Sequence, residues 1–192
     1  MVDEEAAQTE GVYFEAIGRL VVEFARAEAF VHYLANWQSG LGTEKGMAIF
    51  AGMRLPDLIQ AIRACMRLNK MESKASNDLD ACFTQLDVIG KVRHKLAHRY
   101  VEIASEFGPQ ISVHTLYTAK SLVSADVEEF TLQDMAAMTE DCFCIRIRIL
   151  RHTDAEARRK TRTLEERIFQ PWRYKPPQSQ PPSRYRHRVM VG

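Results

Sequence analysis

Two apolar stripes with helical rhythm narrow the fold most. In residues 12–38 the set Phe14, Ile17, Val21, Phe24, Glu28, Val31 and Ala35 advances by alternating steps of three and four, which places it on one face of a long α-helix. In residues 77–98 Leu79, Cys82, Leu86, Ile89, Arg93 and Leu96 follow the same rhythm. Each stripe has one charged member, Glu28 in the first and Arg93 in the second. An unpaired buried charge is expensive. The two are therefore expected either to meet as an ion pair tying the first helix to the third, or to border an internal cleft in which Arg93 holds an anion and Glu28 steadies it.

Two more helices complete the pattern. One is expected from Pro56, welcome in a first turn, to about Met71, with Leu58, Ile62, Cys65 and Leu68 inward. The glycine-rich stretch 39–46 separates it from the first helix. The other is expected over 132–168. Thr131 and Asp134 resemble a capping box at its start, and Leu132, Met135, Met138, Cys142, Ile145 and Ile149 supply an inward face. Its charged second half is expected to project from the core. Between the third and fourth helices, Tyr100–Ala104 and Ile111–Tyr117 alternate around a Gly-Pro break, which predicts an antiparallel β-hairpin at about 100–118. The fold class is thus all-α. It comprises an acidic lead (1–11), a four-helix bundle carrying the hairpin (12–168), and a basic, Pro-rich tail (169–192).

No window approaches the ~18 uninterrupted apolar residues of a membrane span. The opening MVDEEAAQTE is acidic, the wrong sign for a secretory signal, so the expected setting is cytoplasmic. Cys65, Cys82, Cys142 and Cys144 lie in apolar helical patterns and are expected to be reduced and mostly buried. The near-neutral net charge of +1 hides an asymmetry. Residues 1–145 hold 13 Lys+Arg against 21 Asp+Glu, a balance of −8, while residues 146–192 hold 13 against 4, a balance of +9. The basic end can reach for nucleic acid or lie against the acidic body.

Chemistry concentrates in Val92-Arg93-His94-Lys95-Leu96-Ala97-His98-Arg99-Tyr100. His94 and His98 share a helix face, but no glutamate follows His94, so the zincin pattern is absent. A third metal ligand has to come from His32, His114 or an acid that the sequence does not place, and neither a metal site nor a cofactor is expected. Arg93 and His98 lie about 140° apart on an ideal helix. They converge on one phosphate only if the helix ends near Ala97 and turns His98 inward, or if two copies of the motif face each other.

Arg93-His94-Lys95-Leu96-Ala97-His98 resembles the R-x4-6-H motif of the HEPN superfamily of all-helical domains, with His94 at the motif's polar position. The resemblance spans roughly residues 12–150. It implies a homodimer whose two motifs line a shared cleft, with Arg93 and His98 as the catalytic pair and His94 in support. Many family members are metal-independent endoribonucleases of toxin or phage-defence type, which makes an antitoxin or other protein partner an expectation. Others have lost catalysis and bind RNA, nucleotides or proteins. The hairpin and basic tail depart from the minimal family bundle.

These residue types suit RNA cleavage. The 2′-hydroxyl is an internal nucleophile; a histidine, with an ordinary pKa of about 6.5, can exchange its proton; and an arginine fork stabilises the charge that grows on the phosphate. Lys95 and Arg99 extend the positive surface. In the tail, Trp172, Arg173, Tyr174 and Lys175, followed by Arg184, Tyr185, Arg186 and Arg188, interleave aromatic and basic groups as single-strand binders do. The alternatives are a solvated tail, or a strap that packs Trp172 on the bundle. The leading reading is a metal-independent endoribonuclease acting as a dimer; the other is a non-catalytic dimeric helical bundle that binds RNA or a protein partner.

Overall fold

The computed structural model describes residues 2–104, 110–115 and 126–176. Among them the chain is mostly helical, with seven α-helices, one 3₁₀ turn and three short strands. The helices are α1 (Val2–Ser39), α2 (Thr43–Phe50), α3 (Leu55–Leu68), α4 (Ser73–His98), α5 (Leu132–Thr153), α6 (Ala155–Lys160) and α7 (Glu165–Ile168). None is long and apolar enough to cross a membrane.

Helix α1 begins about ten residues earlier than expected, taking in most of the acidic lead. Acidic side chains in a first turn favour helix by opposing the positive end of its dipole. It packs on α2, α3, α4 and α5. Its buried face is Tyr13, Leu20, Phe24, Ala27, Val31, Leu34 and Ala35, a phase turned by about one residue from the expected stripe. Phe14 is 56% exposed, Ala27 occupies the interior, and Glu28 sits half-buried at the border.

The break after α1 is shorter than expected. Gly40 (φ 67°) and Gly42 (φ 76°) supply left-handed turns that glycine adopts without strain, and the chain re-enters helix at Thr43. In α3, Leu58, Ile59, Ile62 and Met66 face inward. Leu68, expected inside, ends the helix 81% exposed. Helix α4 follows its stripe closely, burying Leu79, Cys82, Leu86, Ile89 and Leu96.

Strands β1 (Tyr100–Ala104), β2 (Gln110–Thr115) and β3 (Asp126–Phe130) form one antiparallel sheet in that order. The predicted pairing of the first two is present; their connection, 105–109, lies outside the described residues. The third strand was not expected, since Asp126-Val-Glu-Glu-Phe is rich in residues that disfavour strands. Tertiary packing sets it: Phe130 is buried opposite buried Ile111.

Helix α5 opens on the predicted capping box. The Thr131 hydroxyl accepts from the Asp134 N–H at 3.1 Å, and the Asp134 carboxylate accepts from the Thr131 N–H at 2.8 Å. It does not run to 168. Asp154 is extended (φ −142°, ψ 121°) and caps α6 by accepting from the Glu156 N–H. Nor does the charged continuation project. Arg148, buried on α5, donates from Nε to the Ile168 carbonyl at 2.7 Å, and Arg151 donates to the Thr161 hydroxyl at 3.1 Å. The returning segment thereby adds Ile168 and Tyr174 to the interior. The segment's own charges, from Glu156 to Arg167, stay exposed, while Ala157, Thr161 and Ile168 turn inward.

Candidate functional site

The R-x4-H motif lies on the last two turns of α4. Val92 and Leu96 anchor these turns in the core. Arg93, beside Val92, is half-buried, and its Nε is enclosed with no hydrogen-bond partner. The guanidinium carbon stands 5.8 Å from the centre of the Phe24 ring on α1, within reach of a cation–π attraction. Gly90, one turn earlier, makes this approach possible: a Cβ there meets Phe24 Cζ at 3.1 Å. Among the described residues no ion pair joins Arg93 to Glu28. Arg93 rests on an aromatic face, and among the described residues its charge has no carboxylate partner.

The other motif residues point elsewhere. His94 and His98 are both exposed, with ring centres 4.6 Å apart. Lys95 pairs with Glu128 of β3. Arg99 is the extended C-cap (φ −113°, ψ 165°), and its N–H donates to the Lys95 carbonyl at 2.9 Å. Because α4 stays helical through His98, Arg93 and His98 remain about 140° apart. One chain does not bring them onto one phosphate. Lys95 and Arg99 lie at the negative end of the helix dipole, with Lys95 already paired to Glu128. Among the described residues no group of three or more His, Cys, Asp or Glu side chains is placed to hold a metal ion.

The tail residues form a strap. Asp141, fully buried on α5, accepts from the Arg173 N–H at 3.0 Å, the Tyr174 N–H at 3.0 Å and the Gln85 amide at 2.9 Å. Gln85 also donates to the Tyr174 carbonyl at 3.0 Å. Burial pushes the Asp141 carboxyl above the usual range, against the lowering effect of these three donors. Trp172 is half-buried, with Arg148 lying 4.3 Å from its ring. Tyr174 is 2% exposed, and burial pushes its hydroxyl up to about 12. Arg173 turns toward Glu140 and Asp141, at 3.7 and 3.8 Å. Of the four tail residues proposed to touch nucleic acid, Lys175 alone is exposed. Arg184, Tyr185, Arg186 and Arg188 lie outside the described residues.

Two concavities lie away from the motif. One, of about 430 Å³, sits where α1 and α3 end, lined by Trp37, Gln38 and Asn69. The other, of about 360 Å³, lies between α1 and α5, lined by Arg19, Met135 and Thr139. Neither includes Arg93 or His98. Sequence reasoning missed the Asp141–Gln85 node and a second one in which Asp78 pairs with Arg148 at 3.3 Å and His152 at 2.8 Å. The signal for the first was present: Asp141 follows Met138 by three in the α5 stripe, as Arg93 follows Ile89 by four in that of α4.

Neither the family models, the curated proteins nor the solved structures give a match to this chain.

Proposed function

We propose that the chain is an RNA-associated, HEPN-like four-helix bundle whose α4 terminus binds the RNA backbone. We further propose that two copies together form a metal-independent endoribonuclease of the toxin or phage-defence type. The observation that carries the reading is the state of Arg93, a half-buried guanidinium on an aromatic ring with no carboxylate partner among the described residues, on the helix end that also bears His94, Lys95, His98 and Arg99. A guanidinium so held keeps its charge for an incoming anion, and its fork suits two phosphate oxygens.

The 140° separation makes the second copy necessary for cleavage: Arg93 of one chain works with His98 of the other. One histidine takes the 2′-hydroxyl proton while the 2′-oxygen attacks phosphorus, and a second protonates the departing 5′-oxygen. Arg93 favours the charge that builds on the phosphate. The products are a 2′,3′-cyclic phosphate and a 5′-hydroxyl end.

The test is incubation of a mixed RNA pool with wild type, Arg93→Ala and His98→Ala in EDTA, with end-group analysis. Cleavage by wild type alone, leaving cyclic phosphate ends, is expected. Ends bearing 3′-hydroxyl and 5′-phosphate overturn the mechanism. The separation of the pair in one chain also favours a second reading, a non-catalytic bundle that binds RNA or a protein partner. It predicts no cleavage by any variant, with RNA retention weakened by Arg93→Ala.

A further inference from the structure

The regularity that keeps Arg93 and His98 apart brings His94 and His98 together. Helix α4 runs unbroken to His98, and residues four apart on a helix differ by only about 40° around its axis. Both side chains are exposed. Their ring centres stand 4.6 Å apart, with the planes inclined at 51°.

We infer that this pair chelates one divalent transition-metal ion, each imidazole giving one ring nitrogen and water filling the remaining positions. The spacing carries the inference. An ion ~2.1 Å from a nitrogen of each ring, with a right angle between the two bonds, sets the ring centres roughly 4.5 Å apart; a tetrahedral angle sets them roughly 5.2 Å apart. The observed 4.6 Å fits neighbouring positions of a square-planar or octahedral ion. Imidazole ligands in that geometry favour Cu²⁺ and Ni²⁺, whereas Mg²⁺ and Ca²⁺ take oxygen ligands.

The surroundings agree. The carbonyls of the last turn of α4 favour a cation. The flanking lysines are already matched, Lys91 to Asp87 at 2.8 Å and Lys95 to Glu128, so their repulsion of an ion is reduced. The expectation of no metal site rested on the missing third ligand, and among the described residues no group of three is present. Two ligands suffice for a chelate: once one imidazole binds, the helix holds the other at high effective concentration. An unfolded chain does not hold the two rings together, so the ion also stabilises the folded helix end.

The site rests on helix geometry alone, whereas its effect on function rests on the nuclease reading. In that reading an ion on His98 occupies a nitrogen that has to exchange a proton with RNA. The metal is then an inhibitor of cleavage and takes no part in it.

Calorimetric titration of the untagged full chain with NiCl₂, after dialysis against EDTA and then plain buffer, tests the site. Wild type and His32→Ala are expected to take up one ion per chain. His94→Ala and His98→Ala are expected to bind it roughly tenfold or more weakly, since each leaves a single ligand. Ni²⁺ is expected to raise the thermal unfolding midpoint of wild type and of neither motif variant, and Mg²⁺ to raise none. Equal Ni²⁺ affinity in wild type and either motif variant overturns the inference, as does a wild type that takes up no Ni²⁺. Cleavage of the RNA pool by wild type is expected to fall in step with Ni²⁺ uptake and to return with EDTA; unchanged cleavage at full occupancy overturns the inhibitory effect. A chain that binds Ni²⁺ through both histidines yet never cleaves, even in EDTA, defeats the nuclease reading and leaves the chelate standing.

Discussion

Asp141→Ala tests whether the C-terminal strap is part of the folded body. The substitution removes the acceptor of three hydrogen bonds at 2.9–3.0 Å. If the strap stays docked, Gln85 keeps its bond to the Tyr174 carbonyl, but the Arg173 and Tyr174 amides lose a charged acceptor, at about 1–3 kcal/mol each. If the strap lifts instead, water satisfies those amides. The cost is then the burial of Tyr174, roughly 2–3 kcal/mol, and the Arg148–Trp172 contact, about 1 kcal/mol. The chain takes the cheaper route, and both routes come to roughly 3 kcal/mol. Urea unfolding followed by circular dichroism measures the loss. Trypsin cleavage after Arg173 reports whether the strap has lifted. Asp141→Asn, which keeps one acceptor oxygen, is expected to fall between wild type and alanine. It also isolates the pH effect. Because the Asp141 pKa is raised in the fold, its contribution is fully present below the unfolded aspartate pKa and is lost as pH rises through the folded value. The wild-type margin over Asp141→Asn therefore shrinks as pH climbs. A loss under about 1 kcal/mol in Asp141→Ala, with Arg173 still protected, refutes the reasoning.

Thr131→Ala removes the Thr131 half of the α5 capping box and is expected to cost about 1 kcal/mol in urea unfolding, with Thr131→Ser close to wild type. Glu140 receives two bonds from Arg167, at 2.5 and 2.6 Å, which hold its carboxyl below the usual glutamate value of 4.5. The stability this pair contributes is present above that value and lost as pH falls through the lowered one. Melting curves of wild type and Arg167→Gln are thus expected to differ modestly at neutral pH and to converge in acid.

What was legible in the sequence follows from where period and chemistry were unambiguous. Helices α3 and α4 and the start of α5 were readable because each has one apolar face and one polar face. The capping box was readable because its two side chains bond within four residues. Strand β3 was not, since an acidic segment becomes a strand only by pairing with β2 and burying Phe130 against Ile111, a contact with no local trace. The stop at Asp154 was hidden for a related reason. The charges after it suit an exposed helix as well as a segment whose carbonyls Arg148 and Arg151 take up.

Glu28 and Arg93 show the limit more sharply. Both stood out as charges in apolar stripes, and the expectation that they meet rested on both being interior. Arg93 does lie against the core, but Glu28 was misplaced because α1 is apolar around most of its circumference. Tyr13 and Leu20 fit the period as well as Phe14 and Val21, and periodicity alone does not choose between phases one residue apart. Three partners, α3, α4 and α5, choose it by covering Leu20, Ala27 and Leu34. The ambiguity therefore originates in α1 itself, which carries apolar groups on its outer side as well. A helix serving only this core needs apolar groups on the covered side, and its outer side is free to be charged. Over Phe14–Tyr33 the outer side of α1 is only partly charged: Glu15, Arg19 and Arg26 alternate with the exposed Phe14, Val22 and Tyr33, so apolar character alone does not mark the covered side.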